Sequence, residues 1–145
     1  MSIPASFPRS TLQALLDRII PDDDFPGAIR ADVETYLLRQ LLGDCALEKE
    51  ELTRGLLSLE AEANHQTGLS FAALTPDRRD ALLHAIEAGL VSTSWSSTLP
   101  AAAFFLRMVD LAHEGFYADP GNGGNRGGVS WRMIGYDPRL PQNSR

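Results

Sequence analysis

The chain has 145 residues, of which 43% are hydrophobic and 22% are charged, and these values are typical of one globular domain. Its formal net charge of −6 disfavours nucleic-acid binding, because nucleic-acid-binding proteins usually present a basic face. No stretch reaches the roughly 18 consecutive apolar residues that predict a membrane-spanning helix.

Cysteine usage and the N-terminal residues limit the function further. Cys45 is the only cysteine, which excludes an internal disulfide and a zinc site built from cysteines. Residues 1–9 contain two prolines and predict an extended arm without the apolar core of a secretory signal peptide. We therefore expect a cytoplasmic location.

Apolar residues recur at helical spacing in three stretches of the first half of the chain. Pro21 and Gly43 follow the first two stretches and are typical stop signals. Asp22, Asp23 and Asp24 lack the alternate spacing of a calcium-binding EF-hand loop and are interpreted as solvated capping residues. The predicted helices span residues 11–20, 29–42 and 47–64.

Two further helices are predicted in the second half of the chain. Thr75 followed by proline is a typical helix start and favours a helix over 76–88. The stretch 100–114 carries only Arg107 and Asp110 as charged residues before its last two positions, and a helix that is apolar on all sides is usually buried. No alternating strand pattern occurs, so we predict an all-α bundle of about five helices around this buried apolar helix.

Residues 115–136 combine glycines with aromatic side chains. Six of the chain's 12 glycines lie between positions 115 and 128. Glycine loses more backbone freedom on folding than any other residue, so this density indicates positive φ angles or close backbone approaches. We predict that 115–136 is an ordered part of a single helical domain over 10–138, which is followed by a tail over 139–145.

The glycines do not match a phosphate-binding motif. Counted from Gly121, the dinucleotide pattern G-x-G-x-x-G would need a glycine at Arg126, and it would need a strand before it instead of a helix. A P-loop would need lysine and serine or threonine after Gly128, where this chain has valine. We therefore predict no cofactor-binding residue in this chain.

The histidines suggest a metal site without completing one. Glu62-x-x-His65 and Asp110-x-x-His113 each place a carboxylate and an imidazole on one helix face. Di-iron bundles combine two such motifs with two further inward carboxylates, which are not evident here. No catalytic or metal-binding residue is predicted, and a stand-alone metal-binding or enzyme domain that uses His65, His113 and nearby carboxylates stays an alternative.

Residue types that are enriched in interface cores gather in 115–136, since aromatic residues, methionine and arginine predominate at such places. The residues concerned are Phe116, Tyr117, Arg126, Trp131, Arg132, Met133 and Tyr136. This composition favours a binding function. A homodimer formed through the apolar helix and this segment is a second alternative.

Two parts of the sequence carry unusual strings of residues. Residues 16–28 read LDRIIPDDDFPGA and precede a helix that contains Tyr36. The second part reads GFYADP at 115–120, GGNR at 123–126 and WRMIGY at 131–136. In order and spacing, these strings resemble gluconate 2-dehydrogenase subunit 3, the small subunit of gluconate 2-dehydrogenase-type flavoprotein complexes, over roughly residues 10–138.

The resemblance implies a helical, non-catalytic subunit without a cofactor of its own. Its partner would be a larger GMC-type dehydrogenase that holds FAD and oxidises a sugar, glycoside, sugar acid or polyol. In many members a cytochrome c subunit with haem c completes a membrane-associated periplasmic complex, and the small subunit helps to mature or export its partner. The twin-arginine signal usual in the family is not present here, so a periplasmic location is expected only if the partner carries the signal or the sequence is trimmed.

The strings at the C-terminal end contain the interface-type residues, so we expect this part of the chain to bind the large subunit. Nucleic acid and membrane are not expected as direct partners. The predicted partner-binding residues are Phe116, Tyr117, Asp119, Asn125, Arg126, Trp131 and Arg132.

Overall fold

The computed structural model describes residues 3–92 and 95–139, so most of the predicted tail, residues 140–145, lies outside the described part. The described residues form six α-helices and contain no β-strand, which confirms the predicted all-α class. None of these helices is both long and apolar enough to cross a membrane. The helices are α1 (Arg9–Ile19), α2 (Val33–Leu42), α3 (Lys49–Thr67), α4 (Pro76–Glu87), α5 (Ala101–Tyr117) and α6 (Val129–Ile134).

A loop over residues 20–32, which ends in a turn, joins the first two helices, and α2 begins at Val33 instead of the predicted position 29. The amide of Ala28 donates to the carbonyl of Ile20 at 2.8 Å, and the amide of Val33 donates to the carbonyl of Ala28 at 3.0 Å. Ala28 and Ala31 are both buried in this turn. Ile29, which keeps helical spacing to Val33, is 42% exposed in this turn, so the apolar spacing alone placed the start of α2 too early.

Helix α3 covers Lys49–Thr67 instead of the predicted 47–64, and α4 starts at Pro76 as predicted and ends at Glu87, one residue before the predicted end. Gly68 ends α3 with a φ of 75°, a left-handed conformation that glycine adopts without strain. The Thr75 hydroxyl oxygen accepts a hydrogen bond from a backbone amide in the first turn of α4, as a helix N-cap does. Between these helices, the short 3-10 helix Phe71–Ala73 buries the Phe71 ring in the core.

Helix α5 contacts each of the other five α-helices and forms the centre of the bundle. Phe104, Met108 and Leu111 on its inner side are almost completely buried. The burial is one-sided and not all-round as predicted, since Leu106 is 57% exposed and Asp110 is also exposed. Helix α5 therefore packs like an amphipathic helix whose outer side carries an apolar residue.

The segment 115–136 contains more helix than the sequence predicts. Helix α5 continues to Tyr117 instead of ending at 114, and α6 covers Val129–Ile134. Gly128 and Gly135 flank α6 with φ angles of 70° and 73°. A helix of six residues is too short to show a recognisable apolar period, so the glycine-rich composition alone favoured a loop.

Candidate functional site

Two glycines let the C-terminal segment and α5 pack closely against each other and against α2. A β-carbon on Gly124 would overlap the carbonyl oxygen of Gly115 and lie 3.2 Å from Cβ of Tyr36. A β-carbon on Gly115 would lie 2.7 Å from the Tyr36 ring. These separations leave no room for a side chain, so glycine is required at both positions for the segment to reach α2.

Asn125 is completely buried and holds the segment together from the inside. Its side-chain nitrogen donates to the carbonyl of Ala118, just after α5, at 2.9 Å. Its side-chain oxygen accepts from the amide and the hydroxyl of Ser130 at 2.8 and 2.7 Å. Because Ser130 lies in the first turn of α6, its amide has no acceptor within the helix. The Asn125 side chain therefore joins the end of α5 to the start of α6.

A second junction connects the segment to the turn before α2. The Arg126 amide donates to the carbonyl of Ala31 at 2.9 Å, and its guanidinium donates to the Asp32 carboxylate at 2.8 Å. The Thr35 hydroxyl donates to the other oxygen of Asp32 at 2.9 Å. Within the described ranges, Asp32 and Asn125 are the two non-glycine residues with positive φ, at 59° and 51°. Such backbone conformations persist where surrounding contacts fix them, and they cluster at functional sites.

The outward side of the segment forms a shallow groove of about 350 Å³. Trp131 and Tyr136 pack edge to face, with ring centroids 5.3 Å apart. The Arg132 guanidinium donates to the carbonyl of Gly127, which also lines the groove. We call this feature the arginine–aromatic groove, and it is lined by Gly127, Gly128, Trp131, Arg132, Tyr136, Asp137, Pro138 and Arg139.

Charged and apolar side chains lie in and beside the arginine–aromatic groove. Hydrogen bonds from Arg139 lower the pKa of Asp137 to about 2, so this carboxylate stays ionised at neutral pH. The Arg126 side chain remains 69% exposed although it pairs with Asp32. Ile134 on α6 is 59% exposed. Arginine, aromatic and apolar side chains on one surface are the combination found at interface hot spots.

The seven predicted partner-binding residues occupy both interior and surface positions. Phe116 and Asn125 are buried and support the segment from within. The Asp119 carboxylate accepts from the Gly121 amide at 2.9 Å and so shapes the turn that follows α5. Tyr117, Asp119, Arg126 and Arg132 are exposed, and Trp131 is half-buried.

Sequence reasoning missed Asp32 and Ser130, which complete the two junctions. Asp32 lies 94 residues before Arg126, and no local pattern indicates a contact over that distance. Ser130 has no feature that distinguishes it from the other serines. Asn125 was the one residue whose type could have indicated this junction, because asparagine tolerates left-handed backbone and is common near helix starts.

The histidines do not form a metal site in the described part of the chain. His65 and His113 are both exposed, and Nδ1 of His113 lies 2.8 Å from the carbonyl oxygen of Val109. No group of three or more histidine, cysteine, aspartate or glutamate side chains that could hold a metal occurs among the described residues. His113 lines a cavity of about 280 Å³ with Arg18 and Asp80, which bind each other at 2.8 Å. This arrangement does not favour the stand-alone metal-binding alternative.

Comparison with known proteins agrees with the resemblance carried by the residue strings. A family model described as Gluconate 2-dehydrogenase subunit 3 matches residues 8–138, which is nearly the whole chain. The matched range contains all six α-helices and the arginine–aromatic groove up to Pro138. No similar curated protein and no similar solved structure was found.

Proposed function

Because the chain belongs to the gluconate 2-dehydrogenase subunit 3 family, we propose that it is a non-catalytic small subunit that binds and stabilises a large FAD-dependent GMC-type dehydrogenase. The large subunit would hold FAD and oxidise a sugar, glycoside, sugar acid or polyol. In a three-subunit form, a cytochrome c subunit with haem c would accept the electrons. This chain would contribute a binding surface and no reacting group.

The observation that carries the proposal is the fixed shape of the C-terminal segment. The Asn125 hydrogen bonds and the contact between Gly115 and Gly124 hold it from the inside. Trp131 and Arg132 lie on its outer side. A surface that is already ordered loses little conformational freedom when it binds, so more of the contact energy contributes to affinity. These features support docking to another folded protein.

The stabilising effect follows from mass action. A subunit that binds the folded partner and not the unfolded partner adds about 2.7 kcal/mol of stability when its free concentration is 100 times the Kd. This effect requires no contact between the small subunit and the flavin. The proposed role therefore depends only on affinity and on the integrity of the surface.

The experiment is capture of the tagged chain from its native host, followed by absorbance and activity measurements on the captured material. We expect a larger chain with flavin absorbance that reduces an electron-accepting dye when a sugar, sugar acid or polyol is added. We also expect the double variant Arg126→Ala with Trp131→Ala to capture at least about tenfold less flavoprotein, since arginine and tryptophan are typical hot-spot residues.

The matched control is Arg78→Ala with Leu90→Ala, which removes an exposed arginine and an exposed apolar residue elsewhere on the molecule. Circular dichroism must show the same helical content in all three proteins. Equal capture by both double variants would refute the assignment of the surface. A colourless single chain, with its oligomeric state from light scattering, would refute the accessory role and favour self-association or a stand-alone protein.

A further inference from the structure

The arginine–aromatic groove carries the opposite charge from the rest of the protein. The charged residues that line it are Arg132, Arg139 and Asp137, whereas the other residues of the chain contain 11 basic and 18 acidic groups. Asp137 is already paired with Arg139 at 2.8 Å, and the nearby Arg126 is paired with Asp32 at 2.8 Å. Arg132 thus gives an acidic protein a local positive charge at its aromatic groove.

The groove holds these cationic groups in defined positions. The Arg132 guanidinium donates to the Gly127 carbonyl, which restrains the side chain. Gly127 and Gly128 have φ angles of 65° and 70° and line the groove without side chains. Since a guanidinium has five N–H donors, one bond to a carbonyl leaves donors on Arg132 for a ligand.

The chemistry of these groups selects the occupant. Guanidinium groups pair with carboxylates through two parallel hydrogen bonds, and neighbouring aromatic rings bury apolar side chains. Building on the proposed function, we propose that the arginine–aromatic groove receives an acidic segment of the large subunit, in which aspartate or glutamate side chains lie beside an apolar residue. The volume of about 350 Å³ accommodates a few side chains and not a folded domain. The groove would therefore form one part of a wider interface, where it would increase selectivity for the partner and raise the association rate constant.

The test measures association of the purified flavoprotein partner with the wild-type chain and with two charge reversals. Arg132→Glu changes the groove, and Arg78→Glu makes the same charge change on the exposed first turn of α4. We expect Arg132→Glu to lower the association rate constant at least about tenfold and Arg78→Glu to stay within about twofold of wild type. The wild-type rate should also fall between about 0.1 M and about 1 M salt, over which the screening length decreases from about 10 Å to about 3 Å.

Arg139→Glu provides a second groove variant whose folding is not at risk, because the Arg139 side chain is 86% exposed. If the complex forms and neither groove variant differs from Arg78→Glu, the acidic-segment inference is refuted while the accessory role stands. If the wild-type chain captures no flavoprotein dehydrogenase, both the role and the inference are refuted. Loss of the salt dependence in Arg132→Glu, with retained helical content, supports the inference directly.

Discussion

Replacement of Asn125 by alanine tests whether the buried side chain holds the C-terminal segment in place. The change removes hydrogen bonds of 2.9 Å to Ala118 and of 2.8 and 2.7 Å to Ser130. The Ala118 carbonyl and the Ser130 amide would then be left without these partners, at a cost of about 1.5 kcal/mol each. Alanine at a φ of 51° adds about 1 kcal/mol of backbone strain that asparagine tolerates better. We therefore expect a loss of about 4 kcal/mol in the free energy of unfolding.

The measurement is urea unfolding at 25 °C, followed by the helical circular dichroism signal. A domain of this size typically has an unfolding free energy of about 5–15 kcal/mol, so Asn125→Ala should still fold. Its Tm should fall by about 10 °C, since 1 kcal/mol shifts the Tm of such a chain by about 2–4 °C. Asn122→Ala is the matched control, because Asn122 is exposed in the same segment and should change stability by less than about 0.5 kcal/mol. A loss below about 1 kcal/mol in Asn125→Ala would refute the assigned role of its side chain.

Two further substitutions test the packing and the electrostatics of the bundle. Gly124→Ala should cost at least about 2 kcal/mol in urea unfolding, because its β-carbon would overlap the backbone of α5, whereas Gly121→Ala should cost less than about 1 kcal/mol. A hydrogen bond from the Arg107 side chain lowers the pKa of the Glu48 carboxyl, so this pair adds stability above pH 4.5 that is lost as the pH falls through the lowered value. Glu48→Gln should therefore flatten the acid side of the stability profile measured by urea unfolding at a series of pH values.

Helix starts and stops with a local chemical cause could be predicted from the sequence. Thr75 acts through its side-chain preference and began α4 where expected, whereas α3 continues past its predicted end at 64 to Thr67, where Gly68 ends it. The start of α2 was placed too early because Ile29 matches the helical spacing of the apolar residues that follow it, although it is 42% exposed and lies in the turn before the helix. An apolar residue at helical spacing therefore does not by itself identify a helical or a buried position.

The candidate site was less predictable because its residues act in two different ways. Asn125 and Phe116 lie in the strings that resemble the family, and both are buried. The sequence alone does not show whether such residues support the fold or contact a partner. The partner of Arg126, Asp32, comes from a turn 94 residues away in the chain. Composition therefore identified the segment, whereas only the folded backbone separates the residues that shape it from those that can contact a partner.

The distinction between residues that shape the segment and residues that can contact a partner determines how a binding defect is interpreted. Arg126 pairs with Asp32 at the surface, and an exposed pair of this kind is worth about 0.2–1 kcal/mol. A domain with about 5 kcal/mol or more of stability stays almost entirely folded when this pair is lost. Global unfolding therefore hardly changes the fraction of molecules that can bind the partner. A tenfold loss of affinity in a surface variant therefore reports a lost contact. Asn125→Ala differs, because local detachment of the segment would lower affinity in proportion to the detached fraction without any change to the contact surface itself.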